Sequence, residues 1–156
     1  MEKTQSISAR GWELLEGDIM TIYLDIDPPR TTAQQKGERV GADGRIHHYT
    51  KRRVQEARNL MGYELMRQAP PEPLTGPLYL SATWVFSRRC KIKAKPEWKT
   101  TRPDTDNLIK LLKDVMTDCG YWRDDAQVCR EECAKLWESE ERPRGIYIEV
   151  GRLEEE

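Results

Sequence analysis

The chain has 156 residues and a formal net charge of −1, with 34% charged residues against 37% hydrophobic ones. That length suits one domain, 1–156, with one sizeable core. The composition excludes a membrane protein, because no stretch nears the ~20 apolar residues a span needs, and a protein that coats nucleic acid by net charge alone.

No signal-peptide pattern opens the chain, since Glu2, Lys3, Gln5 and Arg10 interrupt any apolar run, so a cytoplasmic protein is expected. Cys90, Cys119, Cys129 and Cys133 lack C-x-x-C spacing and close histidine partners, which argues against zinc and for reduced thiols. Cys129 and Cys133 are expected on one face of a strand, as small packing residues.

Residues 1–20 are polar and mixed, and are expected to be loosely ordered apart from a short first strand. Ile22, Leu24 and Ile26 then alternate as one buried strand face, which Pro28-Pro29 ends. Residues 30–48 read as a long polar loop whose His47 and His48 are metal ligands, a proton carrier or solvated side chains. Tyr49 to Arg67 reads as a helix with a stripe of Val54, Ala57, Leu60, Met61, Tyr63 and Leu65 and a basic flank of Lys51, Arg52, Arg53 and Arg58. Pro70 to Pro73 is a stiff connector. Leu78 to Phe86 has strand composition throughout.

A basic arm follows: Arg88, Arg89, Lys91, Lys93, Lys95, Lys99 and Arg102, opposed by Glu97 alone. Such an arm is suited to a phosphodiester backbone. Its Trp98 either stacks on an exposed base or pins the arm to the body.

The arm ends at Asp104-Thr105-Asp106-Asn107-Leu108-Ile109-Lys110, the start of an amphipathic helix. At ~100° per residue, Leu108, Leu111, Leu112, Val115 and Met116 share one arc, and Asp106, Lys110, Lys113, Asp114 and Thr117 the other. Asp106 and Lys110 are an i,i+4 pair. Gly120 supplies the left-handed stop. The chain turns back through Tyr121-Trp122-Arg123-Asp124-Asp125-Ala126-Gln127 into a strand over Val128–Trp137. A further strand covers Gly145–Val150, with 138–144 between them as a hairpin connection and 152–156 as a loose tail.

The order is β-α-β-α-β-β, an α/β (α+β) two-layer domain: one mixed sheet with two helices on one face.

Carboxylates as dense as Asp104, Asp106, Asp124 and Asp125 repel one another unless a cation sits among them. Mg²⁺, with Mn²⁺ as its substitute, prefers such oxygens and keeps waters for a phosphate substrate. The residues therefore point to a metal-dependent nuclease. A non-catalytic DNA-binding module, in which the aspartates only cap helices and meet solvent, accounts for the same residues. So does a metal-dependent nuclease or phosphatase for single strands, flaps or nucleotides.

The order D-x-D-N-L-x-K, apolar helix, G-Y-W-x-D-D-A-Q resembles the RusA family of Holliday junction resolvases. The resemblance is specific over residues 102–128. It implies Asp104, Asp106 and Asp125 as metal ligands, Lys110 as a catalytic assistant and Asp124 as an accessory acid. It also implies a homodimer that nicks two strands of a four-way DNA junction, in DNA recombination and repair, with no membrane partner and no small-molecule cofactor.

Overall fold

The structure is a computed structural model that describes residues 14–30, 32, 36–50 and 52–154. Its elements are β1 (Leu14–Leu24), β2 (Lys36–Val40), β3 (Ile46–Thr50), α1 (Arg52–Arg67), β4 (Leu78–Phe86), β5 (Glu97–Trp98), α2 (Thr105–Asp118), a single 3₁₀ turn at Asp125–Gln127, β6 (Val128–Trp137) and β7 (Gly145–Leu153). Five strands form one mixed sheet in the order β1-β7-β4-β6-β5. β4 lies parallel to β6 and antiparallel to β7, and β1 and β5 close the two edges antiparallel to their neighbours.

The alternation in the sequence decides which face is covered. Ile22 and Leu24, then Leu78, Leu80, Ala82, Trp84 and Phe86, then Ile146, Ile148 and Val150 all point into one buried cluster. Met61 and Leu65 of α1 and the apolar stripe of α2 fill that same cluster, so both helices lie on one face of the sheet. Full burial of a side chain such as Leu or Phe contributes roughly 1.5–3 kcal/mol, and this layer supplies most of the driving force. The opposite face keeps polar pairs such as Tyr79 Oη to Glu132 at 3.0 Å, with Arg130 over the Tyr79 ring.

Several expectations are corrected. The segment 138–144 is not a hairpin connection: β4 stands between β6 and β7, so the segment crosses over it. β4 takes the centre because it buries side chains on both faces, with Tyr79 and Val85 buried opposite the main cluster. The polar loop 30–48 contains an antiparallel hairpin, β2 with β3, turned by Gly44 at φ 74°. That hairpin also shortens the first helix, since Tyr49 and Thr50 belong to β3 and α1 begins at Arg52. Leu60 and Tyr63 face solvent; Val54, Met61 and Leu65 carry the buried stripe. The first strand starts at Leu14, and β7 extends through Arg152 and Leu153, where a loose tail was expected. Residues 1–13, the last two residues and the side chains of His47 and His48 lie outside what is described.

One irregularity rearranges the cysteines. The pairing slips from Leu78↔Val128 to Tyr79↔Arg130, leaving Cys129 as the extra residue of a bulge. Cys129 is exposed while Cys133 packs on the core, so the two do not share a face in the expected way. All four cysteines are free thiols.

Candidate functional site

α2 sets out the first group of carboxylates. Asp104 occupies its N-cap position, with extended backbone, and its carbonyl accepts the Leu108 amide at 3.1 Å. Its side chain makes no capping hydrogen bond. An aspartate here ordinarily bonds one of the first amides; this one leaves its carboxylate facing solvent at the end of the helix dipole that favours negative charge. Asp106 accepts the Asn107 amide at 2.9 Å and is also exposed. One turn on, Lys110 is exposed, and among the described residues it forms no ion pair. The buried side of the helix is Leu108, Ile109, Leu111, Leu112, Val115 and Met116, so the polar arc can only point outward.

The second group sits where α2 ends. Gly120, at φ 79°, donates its amide to the Thr117 carbonyl at 3.1 Å, and the Tyr121 amide reaches the Met116 carbonyl at 3.1 Å. Those two bonds are a Schellman stop. Tyr121 is buried and donates to the Leu65 carbonyl at 2.6 Å, and burial pushes its hydroxyl pKa up. Buried Trp122 donates its indole N–H to Thr117 Oγ1 at 2.7 Å.

The two aspartates that follow have different duties. Asp124 caps the 3₁₀ turn, accepting the Ala126 amide at 2.8 Å. Gln127 completes the capping box: its Oε1 accepts the Arg123 and Asp124 amides, and its Nε2 donates to the carbonyls of Leu74 and Gly76 at 3.0 and 3.1 Å. Asp125 is left half-buried in an open cleft of about 340 Å³, lined also by Arg58, Asp114, Thr117, Asp118, Arg123 and Asp124. Arg58 stands 3.7 Å from Asp118. Arg58, from the basic flank of α1, and Asp114, from the polar arc of α2, stand out in the sequence, whereas Asp118 and Arg123 do not. The signal for Asp118 is i,i+4 spacing, since Asp114 and Asp118 continue the polar arc that holds Asp106 and Lys110.

The two groups do not converge within one chain. A return strand beside α2 could bring Asp124 or Asp125 close to Asp104 and Asp106. β6 does run beside α2, with Lys113 bonded to Glu131 at 3.0 Å and Cys133 Sγ 3.6 Å from the Thr105 carbonyl. It starts at the far end of the helix, however. Asp114, which shares the cleft with Asp125, is eight residues from Asp106, or about 12 Å along the axis. Among the described residues, no three His, Cys, Asp or Glu side chains are grouped closely enough to hold a metal ion. The side-chain oxygens are all carboxylate, the chemistry that suits Mg²⁺, and one chain presents them as two separate groups.

The basic arm divides in a similar way. Arg89, Lys91, Lys95 and Arg102 are exposed. Arg88 is bonded to Glu97 at 2.7 Å and stacks over Trp137, while Lys93 also pairs with Glu97, whose carboxyl these two cations hold below the usual range. Lys99 is turned inward and only 4% exposed, so it offers no surface for a DNA phosphate. Trp98 does not pin the arm to the body; it stands 72% exposed among the cations.

No helix among the described residues is long and apolar enough to cross a membrane. Residues 27–151 match the family model described as Endodeoxyribonuclease RusA. The chain is also 35% identical over 129 residues to a crossover junction endodeoxyribonuclease RusA of Lactococcus phage r1t, covering 81% of this chain and 93% of that one. Over most of its length the chain thus matches a nuclease, and it belongs to the RusA family of endodeoxyribonucleases.

Proposed function

We propose that this protein is a Mg²⁺-dependent, homodimeric endonuclease that resolves four-way DNA junctions by paired nicks, acting on DNA in the cytoplasm. Family membership supports the activity, and the uncapped carboxylate of Asp104 at the start of α2 is the observation that carries the site. A solvated helix cap would have bonded its own amides; this one is kept available.

A symmetric dimer gives the two half-sites a way together. In a two-fold interface residue i meets residue j while j meets i. An antiparallel approach of two α2 helices therefore brings Asp104 and Asp106 of one subunit toward Asp125 of the partner subunit, twice over. That arrangement supplies two sites, one for each of two opposed strands.

Bound Mg²⁺ would supply the positive charge that activates water and offsets charge building up on phosphorus. The protein's own groups have narrower tasks. Asp104, Asp106 and Asp125 would hold the cation through their carboxylate oxygens. Lys110 presents an exposed ammonium one turn from Asp106, where it offsets charge on the phosphoryl oxygens. Arg58 and Arg123 line the cleft and can grip a flanking phosphate, and Arg89, Lys91, Lys95 and Arg102 hold the backbone of an arm of the junction.

The test is cleavage of an end-labelled four-way junction with Mg²⁺, beside an EDTA control, Asp106→Asn, and flapped and linear DNA. Paired symmetric nicks, lost in both controls and absent from linear DNA, are expected. Junction binding with no Mg²⁺-dependent nicks would return the protein to a binding module. Equal cutting of flapped or linear DNA would keep the nuclease and remove the junction.

A further inference from the structure

Two lysines outside the DNA-facing set point inward, at the segment that leads into Asp104. Lys99 Nζ lies 5.0 Å from the Phe86 ring centroid and 4.8 Å from that of Trp137. It donates to Thr101 Oγ1 at 2.7 Å, to the Thr101 carbonyl at 3.1 Å and to the Arg102 carbonyl. Lys135, on β6, donates to the same Thr101 carbonyl at 2.9 Å and to the Pro103 carbonyl at 2.8 Å. Two residues earlier on that strand, the Cys133 thiol reaches the Thr105 carbonyl at 3.6 Å. Carbonyls on both sides of Asp104 are therefore held from the sheet.

This is an expensive way to anchor a loop. A buried ammonium gives up its water, and only the ring faces and carbonyls replace it. Burial, Lys135 and Arg30 together lower the Lys99 pKa, consistent with cations crowded beneath this corner. The segment itself has no regular structure and its Thr101 and Arg102 side chains are exposed; besides the burial of Pro103, these bonds are what fix its path. What it leads to is the aspartate whose carboxylate is left uncapped.

We propose that Lys99 and Lys135 are positioning residues: by holding the carbonyls of Thr101, Arg102 and Pro103, they set the direction in which Asp104 and Asp106 present their carboxylates. The proposal rests on the metal-dependent nuclease reading above. It assigns Lys99, a member of the basic arm by sequence, to the carboxylates and away from DNA.

The experiment compares full-length wild type with Lys135→Gln and Lys99→Met. It measures thermal melting, junction affinity without metal, nicking at saturating junction across a Mg²⁺ titration, and Mn²⁺ binding to the free protein by electron paramagnetic resonance. Groups that orient metal ligands are typically worth 10–100-fold in metal affinity, so Mn²⁺ binding and the Mg²⁺ midpoint should both weaken by roughly tenfold or more. Junction affinity should stay within about twofold, because neither ammonium meets a phosphate. Lys135→Arg, which keeps the charge and the donors, should recover part of the loss. Wild-type Mn²⁺ binding in a folded variant overturns the proposal. So does a loss of nicking that tracks weaker junction binding with a salt slope reduced by about one, the mark of a phosphate contact. If Lys99→Met does not fold, half-buried Lys135→Gln decides. A wild type that fails to nick sinks the nuclease reading, and the Mn²⁺ comparison still decides the role of the lysines.

Discussion

If the two half-sites meet only across a dimer, two dead variants should repair each other. Mg²⁺ holds its oxygen ligands at about 2.0–2.1 Å, so two donors to one ion stand within roughly 4 Å of each other. Asp106 and the cleft that holds Asp125 are separated by about 12 Å along α2, several times that span. Asp106→Asn and Asp125→Asn should each be inactive alone. Mixed in equal amounts and allowed to exchange subunits, half the dimers become heterodimers. Each then has one site with both substitutions and one with neither. Nicking should recover to about a quarter of the wild-type rate, entirely as single nicks, because each mixed dimer keeps one intact site in a two-fold assembly. The assay is a denaturing gel of a junction labelled separately on each strand, with Mn²⁺ stoichiometry measured on the same mixture. A ligand set contained within one chain gives the opposite result: every chain in the mixture carries a defect, and no nicks return. That outcome, with subunit exchange demonstrated independently, refutes the two-chain site.

Trp98→Ala should leave the melting temperature within about 2 °C, since a Trp that is 72% exposed supports little of the fold. If the ring stacks on an opened base it should still weaken junction binding by about tenfold, in line with ~1–3 kcal/mol per stacked base; unchanged affinity would leave it without that role. Gln127→Ala removes bonds to the Arg123 and Asp124 amides and to the Leu74 and Gly76 carbonyls. At a net of ~0.5–1.5 kcal/mol for each neutral bond, and with water recovering part of the loss, it should cost about 2 kcal/mol and lower the melting temperature by roughly 4–8 °C. A shift under about 1 °C would show that the turn is held otherwise. Burial pushes the Cys133 thiol up from 9.0 to about 11, so thiol labelling at pH 8 should modify exposed Cys90 and Cys129 first. Cys133 should follow in a phase that speeds about tenfold per pH unit while the pH stays below its pKa, because the thiolate is the reactive form. Labelling of Cys133 as fast as the exposed thiols would mean that this part of β6 opens freely.

Much of this architecture can be read from spacing. The stripe Leu108, Leu111, Leu112, Val115 and Met116 marks α2 because apolar residues at helical spacing have nowhere to go but onto a sheet. Gly120 marks its end because a left-handed stop suits glycine. Strand partners are harder, since pairing depends on which strand has two faces to bury. A short polar link made β6 and β7 look like neighbours. The better signal is in β4, whose Tyr79 and Val85 are apolar on the second face as well, while β6 carries Arg130, Glu131, Glu132 and Lys135 and suits a place nearer the edge.

The site shows the same division more sharply. Asp124 and Asp125 are chemically identical neighbours in a sequence; only the fold gives one of them a turn to cap and leaves the other in a cleft. Lys99 is indistinguishable by sequence from the exposed cations around it, and only the rings of Phe86 and Trp137 and the carbonyls of the next segment turn it inward. The separation of the two carboxylate groups, in contrast, was within reach of arithmetic. A helix that starts at Thr105 and stops before Gly120 is four turns long, so any chain that folds back immediately after it begins its return at the far end. Asp124 and Asp125 stand at the start of that return, and no strand laid along α2 can bring them to its beginning. On the ligand assignment proposed above, a single subunit carries every carboxylate and still cannot close the site alone, so the proposed dimer would be a requirement of the chemistry as much as of the symmetry of its substrate.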